Sequence, residues 1–269
     1  MPADAVGTHG GWPRKCPIFG VEVSVTDYGE AARSILKAAR EKVPAIVAHV
    51  NVHLLVAASD DRSLGNQLNS FDIAAPDGQP VRWALNHFHR TGLSDTVTGP
   101  DLMLILCREA AESGVCIYLY GGSSPEVVDR LIFNLRSLFP LLNIVGCESP
   151  PFRALTPKEG REVVERINSS GAGIVFIGLG APKQERFAYE HRDGIKAVQV
   201  CVGAAFDYHS GVRKRVPKWF RKRGLEWLFR LVQDPRRLWL RYITTNSLFL
   251  WKIVLSVARR WEESRTSKR

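Results

Sequence analysis

Residues 174–185 constrain the fold of this chain most strongly, because they join a strand pattern to a helix pattern through a glycine-rich turn. Residues 174–177 are apolar and mostly β-branched or aromatic, which predicts a buried strand. The Gly-Leu-Gly-Ala-Pro run that follows permits a tight turn and close approach of another group to the backbone. Pro182 suits the first turn of a helix, which opens with a Lys-Gln-Glu run.

This arrangement predicts a site for a nucleotide phosphate, because the N–H groups at a helix start attract anions. Its candidate residues are Gly178, Gly180, Lys183 and Gln184. The alternative is an ordinary strand-to-helix turn whose glycines serve packing only. The polar Lys-Gln-Glu run directly after the proline favours the phosphate site.

Strand and helix patterns alternate along most of the chain, with short connections between them. The alternation predicts an α/β fold with a Rossmann-like parallel or mixed sheet and helices on both faces. Ligands of such sheets bind beyond the carboxyl ends of the strands. Four loops are predicted to meet there, at residues 49–51, 76–79, 121–124 and 178–184.

The positive charge of the chain is concentrated at its C-terminal end. Residues 213–269 hold 17 Lys and Arg against 4 Asp and Glu, a net charge of +13, whereas residues 1–212 carry a net charge of −3. We therefore predict a flexible arm over residues 1–16, an α/β body over 17–211 and a basic, amphipathic helical appendage over 212–269. A basic appendage on a near-neutral body indicates an anionic surface or ligand.

The appendage also holds five of the seven tryptophans, and four of them lie on two helical patterns at residues 225–232 and 236–261. Tryptophan with Arg and Lys on amphipathic helices is typical of a segment in a membrane interface. The alternative is a helical segment packed on the body, and the two are compatible. No apolar run approaches the roughly 20 residues of a spanning helix. The scattered cysteines and the lack of a signal-peptide pattern predict a cytoplasmic protein.

Six motifs of this chain stand in the order seen in the WecG/TagA/CpsF glycosyltransferases, and the chain resembles that family over about residues 19–242. They are Pro-Asp-Gly at 76–78, Gly-Pro-Asp-Leu at 99–102, Tyr-Gly-Gly at 120–122, Gly-Leu-Gly-Ala-Pro-Lys-Gln-Glu at 178–185, Val-Gly-Ala-Ala-Phe-Asp at 202–207 and Gly-Leu-Glu-Trp-Leu-Phe-Arg-Leu at 224–231.

The resemblance implies an inverting, metal-independent transferase. Such an enzyme moves a sugar, often N-acetylmannosamine, from a UDP-sugar to a polyprenyl-diphosphate-linked sugar. The resemblance also implies a peripheral location on the cytoplasmic face of the membrane, in the assembly of teichoic acid, enterobacterial common antigen or exopolysaccharide. The expected partners are the UDP-sugar, the lipid-linked acceptor and the membrane surface, without nucleic acid and with a homo-oligomer as an open option.

Inverting transfer needs a base for the acceptor hydroxyl and stabilisation of the charge on the departing UDP. The resemblance places the family's proposed catalytic aspartate at Asp77, and Gly78 leaves space for a sugar ring. Without the resemblance, Asp-Gly is more simply a turn. Asn51 matches a family Thr-x-Asn motif thought to contact substrate, but His49 replaces the threonine.

Several candidates keep more than one interpretation. His49 is a sugar or phosphate ligand, an alternative base, or simply a hydrogen-bonded core histidine, and the last is favoured. Asp101 is either a helix-start acid or a donor-sugar contact, and Thr96 or a neighbour stands where the family often has an arginine. Glu185 has a structural role or serves the site, and Asp207 serves the site or caps a turn.

The remaining candidates concern UDP. Gly121 and Gly122 join the glycine-turn residues as nucleotide ligands. No Asp-x-Asp motif stands where a metal–diphosphate bridge is expected, so we expect neither a metal nor another cofactor. Cationic side chains of the appendage must then neutralise the diphosphate. The predicted ones are Arg215, Arg221, Arg230 and Arg237.

Two other classes of function fit parts of the sequence. Glycine-rich α/β turns also occur in nicotinamide-dependent oxidoreductases, although no acidic residue clearly matches a ribose-binding position. The basic appendage alone would suit a non-enzymatic module that binds membranes or nucleic acid. Bound nicotinamide would indicate the first, and salt-sensitive binding without a response to UDP-sugar would indicate the second.

Overall fold

A computed structural model describes residues 11–151, 153–217, 219–220, 223–233 and 235–266 of the chain. Six strands form a single parallel sheet in the order β4-β3-β8-β7-β5-β6, which confirms the predicted α/β fold. A separate antiparallel hairpin, β1-β2, lies beside the sheet. The strands are β1 (Lys15–Ile18), β2 (Val21–Ser24), β3 (Ala45–Val50), β4 (Ile73–Pro76), β5 (Ile117–Gly121), β6 (Ile144–Glu148), β7 (Ile174–Gly178) and β8 (Val198–Cys201).

The helices cover both faces of the sheet, and each face has its own apolar core. One core includes Ile46, Ala48 and Val50 of β3, while Ala45 and Val47 of the same strand enter the other. This division follows from the alternation of side chains along a strand. The helices are α1 (Tyr28–Glu41), α2 (Val52–Asp60), α3 (Arg62–Asn69), α4 (Gln79–His89), α5 (Gly99–Ser113), α6 (Pro125–Leu138), α7 (Pro157–Ser169), α8 (Lys183–Glu190), α9 (Ala205–His209), α10 (Glu226–Gln233) and α11 (Pro235–Thr266).

The helix starts follow local capping rules. The Asp27 side chain accepts a hydrogen bond from the N–H of Glu30 at the start of α1. Thr156 and Glu159 form a capping box at the start of α7. The prediction for Pro182 was wrong in detail, because α8 begins at Lys183 and the proline occupies the preceding N-cap position.

The N-terminal boundary also differs from the predicted one. Strand β1 begins at Lys15 and Cys16 is buried, so these two residues belong to the body and not to a flexible arm. The Ser24 side chain of β2 accepts a hydrogen bond from the N–H of Ala74 at 2.9 Å. The hairpin thereby covers the β4 edge of the sheet. Residues 1–10 of the predicted arm lie outside the described residues.

The appendage packs on the body through α11. Phe249 is 6% exposed, joins the core beneath α2 and meets the Phe19 ring edge-to-face at 5.7 Å. Lys252 donates to Asp60 of α2 at 2.7 Å. Other large apolar side chains of α11 remain exposed, namely Trp239, Leu250, Trp251 and Val254. Within the described residues, no helix combines the length and apolarity needed to cross a bilayer.

Candidate active site

A cleft of about 2080 Å³ lies beyond the carboxyl ends of the strands. Residues from all four predicted loops line it, so the fold brings together loops that are far apart in sequence. Ligand sites for single small molecules are typically about 300–1,000 Å³, so this cleft has room for two substrates. Predicted site residues that line it are His49, Asn51, Asp77, Gly78, Asp101, Gly122, Gly178, Gly180, Lys183 and Gln184.

Asp77 directly follows β4 and lines the cleft. Its backbone N–H donates to the carbonyl of Val50 at 3.0 Å, which places it beside the end of β3. Gly78 has φ +89, a conformation that side chains disfavour, and its ideal Cβ would meet no atom closer than 3.9 Å. Backbone conformation, rather than a lack of space, therefore accounts for glycine at this position.

Asn51 has a structural role that the sequence reading did not include. Its side-chain oxygen accepts a hydrogen bond from the N–H of Leu54 at 3.0 Å and caps α2. The residue still lines the cleft. Its amide NH₂ group, rather than its oxygen, is therefore the part suited to contact a substrate.

His49 is buried on the floor of the cleft, with 6% of its surface exposed. Its Nδ1 lies 2.9 Å from the carbonyl oxygen of Cys201, which can only accept, so Nδ1 carries the proton. Burial lowers the pKa of His49 to about 4, so the ring is neutral at physiological pH. Nε2 has no hydrogen-bond partner among the described residues. His49 is thus a hydrogen-bonded core histidine at Nδ1, as the favoured interpretation expects, while Nε2 is an unused acceptor that this interpretation does not include.

The glycines after β5 and β7 allow the two strand ends to meet. Gly121 pairs with Gly178, and an ideal Cβ on Gly121 would lie 2.6 Å from the Gly178 backbone. Gly122 has φ +95, lines the cleft and donates its N–H to the Gly178 carbonyl at 3.1 Å. Gly121 is not among the described residues that line the cleft. Close backbone packing explains Gly121, whereas Gly122 faces the cleft.

The glycine turn (residues 178–182) leads into α8, as predicted. Gly180 has φ +78 and open space around it, and Lys183 is exposed at the cleft wall. Gln184 is only 4% exposed, and its Oε1 accepts from the N–H of Gly203 at 2.9 Å. Gln184 thus holds the loop after β8 against the start of α8, which is a positioning role.

Glu185 is completely buried behind this turn. Its Oε1 accepts from the Gln184 side chain at 2.8 Å, while Oε2 has no hydrogen-bond partner among the described residues. Burial raises the pKa of Glu185 to about 7, and the hydrogen bond from Gln184 acts in the opposite direction. Glu185 is not among the described residues that line the cleft, so its location indicates a structural role.

Asp101 belongs to a polar cluster at the start of α5. Its Oδ2 accepts from the Thr98 hydroxyl at 3.0 Å and from the Tyr28 hydroxyl at 3.3 Å, and it pairs with Arg215 Nη2 at 2.5 Å. Burial raises the pKa of Tyr28 to about 12, so its hydroxyl keeps its proton. The structure thus brings the predicted residues Asp101 and Arg215 together with each other.

A connecting segment (residues 211–216) joins the body to the appendage. Asp101 pairs with Arg215 of this segment, and Asp207 pairs with Arg213. Asp207 accepts from the Ser123 hydroxyl at 3.1 Å and lies 3.6 Å from Arg213 Nε. The backbone carbonyl of Asp207 also accepts from the Arg213 N–H at 3.0 Å. Asp207 thus lines the cleft and also closes a turn through its carbonyl, so both predicted roles stay open.

The other predicted appendage arginines are Arg221, Arg230 and Arg237. Arg221 lies outside the described residues, and Arg230 and Arg237 lie on α10 and α11 with side chains outside the description. Sequence reasoning missed Tyr28, Thr98 and the part of the cleft lining at residues 150–151 and 153–157. Tyr28 directly follows the Asp27 cap, but only the packing of α1 against α5 reveals its role.

Within the described part of the chain, no group of three or more His, Cys, Asp or Glu side chains is arranged to hold a metal ion. Cationic side chains that line the cleft include Arg161 of α7 and Lys183 of α8. The positive charge of these side chains favours the binding of an anion in the cleft.

The comparison with known proteins agrees with this geometry. The model of the glycosyl transferase WecG/TagA/CpsF family matches residues 16–263. The match includes the sheet, the cleft and most of the appendage. It covers more of the C-terminal helix than the motif resemblance at residues 19–242 does. The protein is thus a glycosyltransferase, neither a nicotinamide-dependent oxidoreductase nor a non-enzymatic binding module, and it belongs to the WecG/TagA/CpsF family.

Proposed function

We propose that this protein transfers a sugar from a UDP-sugar to a polyprenyl-diphosphate-linked sugar during the assembly of a cell-surface polysaccharide. N-acetylmannosamine or a related hexose is the proposed sugar, and the anomeric centre is inverted. The observation that carries this proposal is the single cleft that holds both Asp77 and the glycine turn. A carboxylate for the acceptor and a phosphate site for the donor thereby share one ligand space.

In this proposal Asp77 removes the proton from the acceptor hydroxyl as its oxygen attacks the anomeric carbon. The new bond forms on the face opposite the bond to UDP, which breaks and leaves its electron pair on the diphosphate. The glycine turn and Lys183 hold that diphosphate through backbone N–H groups and one positive charge, and Gly122, which has no side chain, leaves space beside it. No metal is assigned to the reaction. Cationic side chains neutralise the negative charge that develops on the departing diphosphate.

The appendage supports the membrane part of the proposal. Exposed tryptophans and aliphatic side chains of α11 lie on a segment that is also rich in Arg. Such a surface suits a helix in the interface of an anionic membrane. We therefore place the protein at the cytoplasmic face of the membrane, where a lipid-linked acceptor would reach the cleft.

The decisive experiment offers a panel of UDP-sugars together with polyprenyl-diphosphate sugars and reads the lipid products by mass spectrometry. We expect one donor to add a single sugar to the acceptor and to release UDP. NMR of the product's anomeric proton and carbon would show inversion. Transfer with retention, or no transfer from any UDP-sugar, would contradict the proposal.

A further inference from the structure

The cations that line the cleft differ in whether a carboxylate already neutralises them. Arg153, Arg186 and Arg213 are paired with Glu159, Asp61 and Asp207 at 2.6, 3.0 and 3.6 Å. The three lining cations without an ion pair among the described residues are Arg161, Lys183 and Lys214. Lys214 is the only one of these three that the appendage supplies.

The backbone on both sides of Lys214 is tied to the body. Arg213 is held by Asp207, and Arg215 is held by Asp101 at 2.5 Å. Val216 is 3% exposed and anchors the end of the segment. Because the two neighbours of Lys214 are held at the rim, Lys214 is presented to the cleft that it lines.

Arg215 itself is not among the described residues that line the cleft, whereas its partner Asp101 is. The charge of Arg215 is already matched by Asp101, so its contact is that of an anchor. Lys214 carries a compact ammonium group with three donors, which binds phosphate as a point charge. Lys183 of α8 lines the same cleft, so the cleft offers cations from both the body and the appendage.

We propose that Lys214 binds the diphosphate of a substrate, and that Asp101 and Asp207 are positioning residues that hold its segment at the cleft. The inference rests on the proposed function, which supplies two diphosphates, one in the nucleotide and one in the lipid-linked acceptor. Both share the same chemistry, so the test must separate them.

Isothermal titration of the full chain with UDP and with geranyl diphosphate separates the two sources, and ligand-observed NMR with uridine tests the phosphate requirement. We expect Lys214→Ala to raise the Kd of at least one diphosphate by about 5- to 20-fold, with uridine unaffected. Lys214→Arg should retain most of the affinity. Arg236→Ala is the matched control, because it removes one exposed positive charge at the start of α11. The Kd of this variant for each diphosphate should stay within about twofold of the wild-type value.

A double-mutant cycle tests the positioning role. Asp101→Asn should weaken diphosphate binding, and adding Lys214→Ala should weaken it little further, since the released segment no longer presents the lysine. Without ligand, Asp101→Asn should also speed tryptic cleavage within residues 213–215. If Asp101→Asn does not fold, Tyr28→Phe replaces it in the cycle, because Tyr28→Phe removes one hydrogen bond to Asp101.

The outcomes separate this inference from the proposed function. Unchanged binding of both diphosphates by Lys214→Ala would overturn the inference alone, provided that wild-type protein binds at least one of them. Additive effects in the double-mutant cycle would overturn the positioning role of Asp101. Wild-type protein that binds neither diphosphate would overturn the proposed function, and the inference with it.

Discussion

The carboxyl groups around the cleft differ in their surroundings, and this difference separates their roles at the scale of single residues. Asp101 and Asp207 each hold an arginine of the connecting segment. Glu185 is buried behind the glycine turn with a raised pKa. Asp77 lies at the end of β4 with its side chain partly exposed at the cleft. Among these four, Asp77 is the one whose position suits a base for an incoming hydroxyl.

Replacing Asp77 with Asn should lower kcat by about 100-fold or more, because the amide cannot accept the hydroxyl proton. Circular dichroism and the melting temperature should stay close to wild type, since the side chain is at the cleft surface. Turnover of the identified donor and acceptor measures the effect. Glu190→Gln, at another carboxylate lining the cleft, is the control. Near-normal turnover of Asp77→Asn would remove Asp77 from the role of base.

Glu185 should make the protein less stable as pH rises. Its pKa is raised from 4.5 to about 7 in the fold, so the folded protein keeps a proton that the unfolded chain has lost. The stability present below pH 4.5 is therefore lost as pH rises to about 7, and the loss between pH 5 and pH 8 is about 2–3 kcal/mol. Glu185→Gln should lack this loss.

Urea unfolding of wild type and Glu185→Gln at both pH values measures the difference. His49 also titrates differently in the folded and unfolded states, but its contribution is common to both proteins and cancels. If wild type and Glu185→Gln differed in unfolding free energy by the same amount at pH 5 and at pH 8, Glu185 would be ionised in the folded protein throughout this range.

At the scale of elements, the ends of β5 and β7 approach each other closely because their glycines leave no side chains between them. The Gly121 position has φ +135 and no space for a Cβ beside Gly178. The same close contact lets the Gly122 N–H reach the Gly178 carbonyl. The position of the glycine turn thus depends on a strand from an earlier part of the chain.

Gly121→Ala should destabilise the protein by about 3 kcal/mol, since steric overlap adds to an unfavourable backbone conformation. Gly171→Ala is a control for conformation alone, because Gly171 has φ +73 with nothing within 4 Å of its ideal Cβ. Gly171→Ala should lower the free energy of unfolding by about 1 kcal/mol relative to wild type. Urea unfolding compares the two variants with wild type. Equal losses would show that the contact with Gly178 adds nothing.

At the scale of the whole molecule, the appendage is part of the site and also part of the core. The connecting segment supplies Arg213 and Lys214 to the cleft, and Phe249 on α11 packs against Phe19. The predicted boundary at residue 211 therefore marks a change of composition rather than the edge of an independent unit.

Deleting residues 212–269 should abolish turnover while leaving the α/β body folded. The melting temperature should fall, because the deletion exposes the surface beneath Phe249. Circular dichroism, thermal unfolding and the transfer assay measure the three properties. Phe249→Ala in the full chain separates the effect on stability from the effect on turnover. This variant should have a lower melting temperature than wild type and normal turnover. Normal activity of the truncated protein would contradict the proposed contribution of the appendage.

Much of this protein is determined by its sequence alone. The strand and helix order, the caps at Asp27 and Thr156, and the four loops at the strand ends follow from local patterns. They do so because side-chain periodicity and capping involve residues only a few positions apart. The family motifs add the expectation of a glycosyl-transfer site, which the family match supports.

Only the tertiary structure decided how the polar side chains are used. In the folded protein the Asn51 side-chain oxygen caps α2, the Gln184 side chain accepts a hydrogen bond from Gly203, and Asp101 forms an ion pair with Arg215. The tertiary structure also left the His49 Nε2 without a partner in the described part of the fold. Hydrogen bonds and ion pairs form over about 3–4 Å, so their partners depend on how distant segments pack, which no local pattern specifies.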